Sequence, residues 1–387
     1  MDFRDTPDEA TFRQQLRAWF AANLPEGWVD REPTPGLEDV EFMRAWSRKL
    51  HAAGYAGITW PKAVGGLGLP PTYQGIFLEE VARNDAPGHI GVIGLGMAGP
   101  TILAWGSDEQ KARFLPPLLS GEEVWCQGFS EPGAGSDLAG ARTRAELDGD
   151  EWVVNGQKVW SSYAHIADWC ILVVRTDPEA ERHRGLSYLL VDMHAPGVEV
   201  RPLRQITGDP EFNEIYFTDV RVPCDSMLGR PGEGWSVAMT TLLHERGTLG
   251  FVLTARYESL LGRLVEAVRA ERPDGSRAAD DPLVRDQVGQ LAIDLEALRF
   301  TNYRALTALV KTGVPGPEGS VAKLHWSEAN QRLSHLAQEV LGSEARLAGG
   351  FWGYQQLRSR GNTIEAGTSE ILRNIIAERV VGLPRSR

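Results

Sequence analysis

The stretch Ser130-Glu131-Pro132-Gly133-Ala134-Gly135-Ser136-Asp137 gathers four hydroxyl or carboxyl side chains around two glycines and a proline. It follows Gln127-Gly128-Phe129, which reads as the end of a strand. Such a turn exposes backbone N–H groups and lets a flat or anionic ligand come close. A plain strand-to-loop connection has the same composition, and the residues alone leave both readings open. A second group is Leu242-Leu243-His244-Glu245-Arg246, where Glu245 lies three residues after Leu242 and four before Leu249. That spacing puts a carboxylate on the apolar stripe of a helix, which is costly unless the group is paired or functional. It is either one half of an ion pair with a neighbouring helix or a carboxylate whose dry surroundings raise its pKa and suit it to taking a proton. Trp160, taken by itself, fits a core aromatic at a strand end.

The elements that must hold these residues change period along the chain. From 1 to about 121 the pattern is helical, with Phe12, Leu16, Trp19 and Phe20, then Phe42, Trp46 and Leu50, at helical spacing. Ser107-Asp108-Glu109-Gln110 reads as a capped helix start. From 122 to about 232 the period falls to two. Asp148-Gly149 and Asn155-Gly156 read as hairpin turns, and Cys170–Val174, Tyr188–Val191 and Ile215–Phe217 as strands of a small antiparallel sandwich or barrel. From 233 to 387 the helical period returns, predicting helices from Trp235, over Pro282–Lys311 and Gly319–Leu341, and near Glu370–Val381. The expected class is α+β, with a β-domain between two helical blocks.

Composition narrows the function. A chain of 387 residues with 42% hydrophobic content can bury a sizeable core. Its net charge of −12 argues against a nucleic-acid or anionic-membrane surface. Three cysteines, Cys126, Cys170 and Cys224, provide neither a disulfide framework nor metal-ligand spacing, so a cytoplasmic setting is expected. The start, Met1-Asp2-Phe3-Arg4-Asp5, lacks the pattern of a secretory signal. Residues 86–107 carry no formal charge, but two prolines and six glycines favour a buried helical pair over a membrane span.

The octapeptide resembles the signature of the acyl-CoA dehydrogenase family, and the resemblance extends over essentially the whole chain. Asn155-Gly156-Gln157-Lys158-Val159-Trp160-Ser161-Ser162 and Ala366-Gly367-Thr368-Ser369-Glu370-Ile371 follow in the family's order. The resemblance implies the acyl-CoA dehydrogenase fold, with a helical N-terminal domain, a middle β-domain and a C-terminal four-helix bundle, and FAD as cofactor. Phe129 and Ser130 would lie against the isoalloxazine, Trp160 would flank it, and Ser162 stands where the family often has a threonine bonding N5. Thr368 and Glu370 would also serve the cofactor, and Ser136 the pantetheine arm of the acyl-CoA. An aromatic wall with a few placed donors suits a flat heterocycle.

One departure matters. In much of the family the base is a glutamate immediately before the C-terminal Gly-Thr, where this chain has Ala366, with Glu365 one residue earlier. The isovaleryl-CoA dehydrogenase branch is similar in both its Ala-Gly-Thr and its Glu-Arg on the first C-terminal helix. This implies Glu245 as base, Arg246 as a substrate contact, and the Ala366 N–H as a donor to the thioester carbonyl. Ala366 and the run Gly91, Gly94, Gly96, Ala98 and Gly99 favour a bulky or branched acyl group; tight helix packing explains those glycines equally well. The family's Arg-x-x-Phe-Gly element corresponds to Arg272-Pro273-Asp274-Gly275-Ser276, without the Phe. Gln338 and Gly342 keep another part of that contact with a neighbouring subunit's FAD, and the C-terminal ending, Arg373 to Arg385, is similar to that of bacterial steroid side-chain members. The expected assembly is therefore a homo- or hetero-oligomer, with electron-transferring flavoprotein as acceptor. An oxidase, a flavin monooxygenase and a silent partner subunit are the competing readings.

Overall fold

The computed structural model describes residues 4–28, 39–313, 316–347 and 349–384, without the side chains of residues 245–249 and 344. Met1 to Phe3 of the N-terminal stretch and Arg385 of the C-terminal ending lie outside the described residues. The chain divides into two compact units. One comprises Leu37–Gly68 and Gly88–Glu245, the other Met1–Gly36, Leu69–Pro87 and Arg246–Arg387.

Five helices precede the sheet: α1 (Pro7–Asn23), α2 (Val40–Ala52), α3 (Pro71–Arg83), α4 (Gly99–Trp105) and α5 (Asp108–Ser120). Their ends follow local chemistry. Thr6 and Glu9 form a capping box on α1, as do Ser107 and Gln110 on α5, and α5 stops at Gly121, whose φ is 76°. The uncharged stretch folds as a π-helical turn, Gly94–Ala98, leading into α4.

The sheet strands are β1 (Trp125–Gly128), β2 (Arg144–Asp148), β3 (Glu151–Ser162), β4 (Trp169–Arg175), β5 (Leu186–Asp192), β6 (Val198–Leu203) and β7 (Phe212–Pro223). They run in the order β1-β4-β2-β3-β7-β6, with β5 on β4. Pairing is antiparallel, β4 with β5 included, except that β4 runs parallel to β1 and touches β2 in parallel. β4 reads as an unbroken apolar run because both faces are buried. Ile171 and Val173 join Leu115 and Leu118 in one core, while Cys170, Leu172 and Val174 join Trp152 and Ile215 in the other.

Asp148-Gly149 turns β2 into β3 as expected, but Asn155-Gly156 does not make a hairpin: both residues lie inside β3, at a register shift between Val154 and Gly156. Glycine is needed there for close approach, since a Cβ would fall 2.6 Å from Thr143 Oγ1 and 2.7 Å from its Cα.

The other unit is helical. After α6 (Gly234–Arg269) come α7 (Pro282–Thr312), α8 (Glu318–Leu341), α9 (Phe351–Ser359) and α10 (Ser369–Ile376). Tyr257, Leu261 and Leu264 of α6 share a core with Leu291, Leu295 and Leu298 of α7 and with Trp326, Leu333 and Ala337 of α8. The Arg373–Glu328 ion pair ties α10 to α8 and completes the four-helix bundle. The ninth helix, too short for a clear period, is the addition to the expected pattern. With α1 and α3 held together by Arg13 and Arg17 on Glu80, the architecture is α+β.

Candidate active site

The glycine-rich turn is built from below. Glu131, 9% exposed, accepts from Arg142 N (2.7 Å) and Thr143 N (2.8 Å) and from Lys158 Nζ (2.8 Å). Lys158 is fully buried and also donates to Phe129 O at 3.0 Å. Burial pushes the Glu131 carboxyl up, but the Lys158 charge and these hydrogen bonds outweigh it and hold the group below the usual range. Burial draws the Lys158 ammonium below its ordinary value, and the Glu131 charge and hydrogen bond oppose that only in part. The pair fixes the turn from both sides. Phe129 is buried edge-on to Tyr188 at 5.8 Å, and Ser130 O accepts from Val159 N at 2.9 Å. Ser136 is exposed, beside a groove of about 520 Å³ lined by Glu131, Pro132, Asp137 and Arg142, with Arg182 paired to Asp137.

Trp160 is not a core aromatic. It sits at a second register shift in β3, between Lys158 and Ser161, with φ of 61° and 61% of its surface exposed. A bulky residue in the left-handed region is strained, and such strain concentrates at functional sites. Phe212 stands edge-on to the indole at 6.1 Å. An exposed indole held in this way, with Ser162 two residues on, fits one face of a flat heterocycle.

The C-terminal motif forms a tight turn before α10. Ala366 and Gly367 have φ of 51° and 95°, and the N–H groups of Ala366, Gly367 and Thr368 make no hydrogen bond among the described residues. Thr368 caps α10, its Oγ1 accepting from Ile371 N at 3.2 Å, and Ser369 Oγ is buried without a partner among the described residues. Successive free N–H groups and an orphaned hydroxyl make this turn a donor-rich surface that fits an oxygen-bearing ligand. Glu365 is committed elsewhere: Arg358 grips it through both oxygens at 2.9 and 3.1 Å, and Asn362 Nδ2 donates to it at 3.0 Å.

Glu370 is exposed in the first turn of α10, 3.9 Å from Arg373. Gln338 donates to Ala345 O (2.6 Å) and Trp352 O (3.1 Å), and Gly342 ends α8 at φ 70°, ψ −139°, a conformation open to glycine. Arg272 donates to Val340 O at 2.9 Å, and Gly275 turns the loop at φ 81°. Glu245 and Arg246 have backbones in α6, while their side chains lie outside the described residues. The structure thus gathers Phe129, Ser130, Trp160 and Ser162 around one end of β1 and β3, and Ala366, Thr368 and Glu370 around the start of α10.

Sequence reading missed the Glu131–Lys158 pair and buried Lys323. Both had a signal. Lys158 has the inward parity of Trp152 and Val154 on β3, and Lys323 lies on the buried stripe of α8 with Trp326, Asn330 and Leu333.

These features define the chain's class. It belongs to the acyl-CoA dehydrogenase family: the family's N-terminal, middle and C-terminal domain models match residues 6–122, 126–220 and 232–381. It is an oxidoreductase of that family. Among curated relatives, it is 45% identical over 389 residues to the acyl-CoA dehydrogenase IpdE1 of Mycobacterium tuberculosis, covering 98% of each chain. Among solved structures, the ChsE4-ChsE5 complex from Mycobacterium tuberculosis and the Tcur3481-Tcur3483 steroid ACAD each match at a TM-score of 0.85, with 32% identity over 100% of both chains. No helix among the described residues is long and apolar enough to cross a membrane.

Proposed function

We propose that this chain desaturates a bulky or branched acyl-CoA between its α and β carbons, with FAD as cofactor and Glu245 as base. One observation carries the assignment of the base. The turn at Ala366 offers unpaired N–H groups, but its nearby carboxylate, Glu365, is locked to Arg358 and Asn362. A thioester oxygen could be received there, whereas the α-proton has to leave to a carboxylate from another segment. Glu245, on the apolar stripe of α6, is that carboxylate, and Arg246 contacts the substrate.

FAD, when bound, supplies the acceptor for the β-hydrogen as hydride. The chain's residues do the rest. Trp160 and Phe129 wall the heterocycle, Ser130 and Ser162 donate to it, and Thr368 and Glu370 serve it from the start of α10. Ala366 N–H polarises the thioester carbonyl, which acidifies the α-carbon, and Ser136 meets the pantetheine arm. The methyl side chain of Ala366 leaves room for a broad acyl group, in keeping with the steroid ACAD among the similar structures. The two-part names of those structures support a second, different subunit, and the spent amide of Gln338 and the loop at Gly275 suit a site completed by such a partner. Gln338 and Gly342 would face that partner's cofactor. Electron-transferring flavoprotein is the acceptor, the setting is cytoplasmic, in line with three free cysteines, and the domains are 1–121, 122–232 and 233–387.

The purified chain, alone or with its partner subunit, should be yellow and bleach anaerobically with a suitable acyl-CoA. Glu245→Gln should slow bleaching by about 10³-fold or more, as expected for loss of a general base together with its charge, while Glu365→Gln should not. The reverse result would move the base to Glu365. Rapid reoxidation of the bleached flavin by oxygen would favour an oxidase.

A further inference from the structure

Lys323 is 3% exposed, on the stripe of α8 that also buries Trp326, Asn330 and Leu333. An apolar residue would pack there at less cost, because burying an ammonium is unfavourable. What the ammonium adds is several donors at one point. Two are spent on main-chain carbonyls that bracket a single turn: Asn362 O at 2.7 Å and Gly367 O at 2.8 Å. The Asn362 end is held twice more, by Ser327 Oγ on its carbonyl and by Asn330 Nδ2 on its Oδ1, both at 2.8 Å. Between the two anchors lies Ala366, in a left-handed conformation that a residue with a Cβ keeps only when its surroundings hold it.

We propose that Lys323 is a positioning residue for the reaction: it pulls the Asn362 and Gly367 carbonyls into the bundle, which aims the Thr368 N–H outward and holds in place the turn that presents the Ala366 N–H to the thioester oxygen. The inference rests on the proposed function for the identity of that oxygen. In a trans peptide the C=O and N–H point in opposite directions, so anchoring Gly367 O fixes the Thr368 N–H facing away from Lys323. A cation on a carbonyl also polarises that peptide and strengthens its N–H as a donor. Lys323 acts through the turn and does not touch the substrate.

Lys323→Met keeps the stem and removes every donor. In the holoenzyme with bound pivaloyl-CoA, which has no α-hydrogen, the ¹³C-edited infrared stretch of the thioester carbonyl should lie below that of free pivaloyl-CoA. In Lys323→Met that lowering should shrink by at least about half. Flavin reduction by a reactive acyl-CoA should slow about 10- to 100-fold, the size of losing one oxyanion donor or less, while the Kd for CoA changes by about twofold or less. Lys323→Gln, which keeps an amide donor, should recover part of both effects. A folded Lys323→Met with wild-type carbonyl stretch and reduction rate overturns the proposal, as does failure of both variants to fold, which would assign Lys323 to bundle stability alone. If even the wild-type chain neither lowers the stretch nor bleaches, the proposed function fails. Amide exchange still decides the positioning: Lys323→Met should speed exchange at Ile364, Glu365 and Ile371, whose N–H groups are bonded on either side of the turn, and leave α8 unchanged, and unchanged exchange at those three overturns it.

Discussion

Lys158→Met is the sharpest test of what holds the glycine-rich turn. The thioether matches the lysine stem out to Cε and leaves vacant only the place of the ammonium, so the effect is chiefly that of the charge and its donors. Its loss strips Phe129 O of one donor and Glu131 of its only charged partner among the described residues, in a site where the carboxylate is 9% exposed. Removing one member of a buried pair costs about 3–5 kcal/mol. Arg142 N and Thr143 N remain on the carboxylate, which places the expectation near the lower figure, about 3 kcal/mol. Lys158→Met combined with Glu131→Gln should be more stable than Lys158→Met alone by about 1.5 kcal/mol, because the stranded charge is gone. Urea unfolding at pH 7 and pH 5 measures both. The sign with pH is fixed. In the wild type the Glu131 pKa is lowered, so its contribution is present above the unfolded carboxyl pKa and is lost as acid carries the pH through the folded value. Without Lys158, burial acts on the carboxyl without its main opponent and pushes the pKa up, so the variant's deficit should narrow between pH 7 and pH 5. A loss below about 1 kcal/mol, or a deficit that does not change with pH, would refute the account.

Two further tests address the helical part of the same unit. Gly91 N donates to His89 Nδ1 at 2.9 Å, so Nε2 carries the proton and donates to Leu119 O at 3.1 Å. Burial pulls the His89 pKa down to about 4, from an ordinary value near 6.5. Stability from this residue is therefore full above about pH 6.5 and falls by about 3 kcal/mol as the pH drops towards 4, a slope that His89→Gln should flatten in pH-resolved melts. Gly99→Ala would set a Cβ 2.1 Å from Trp60 Cη2, and Trp60 is only 6% exposed. It should destabilise by about 1–3 kcal/mol in urea, and a smaller ring at position 60 should recover part of the loss.

The parts of the molecule legible in sequence were those written in local chemistry. Capped helix starts, the apolar run of β4 and the Asp148-Gly149 hairpin each draw on signals a few residues apart. Asn155-Gly156 shows where such reading stops. Turn-forming residues and a strand glycine under a close neighbour look alike until Thr143, from β2's approach, is seen against it. The sequence places Glu365 one residue before Ala366 and carries no sign of its partner: Arg358 grips it only because the intervening 3₁₀ turn brings the two together. Trp160 misled for a related reason: its parity would suit a core residue, and a register shift turns it outward.

The Glu131–Lys158 pair also bears on the order of assembly. Its members are 27 residues apart, and the lysine reaches its partner only once β3 lies in register beside the turn. Contacts of this span close late, after local helices and hairpins have formed. The turn is therefore expected to take shape only after β3 has paired beside it. It follows that a chain stalled before β3 has paired carries no ordered turn, and under the FAD-binding role proposed for that turn cofactor uptake would report on correct folding. In refolding experiments, protection of the Arg142 and Thr143 amides should appear with the slowest sheet amides. Protection arising with the helices would place the turn early instead.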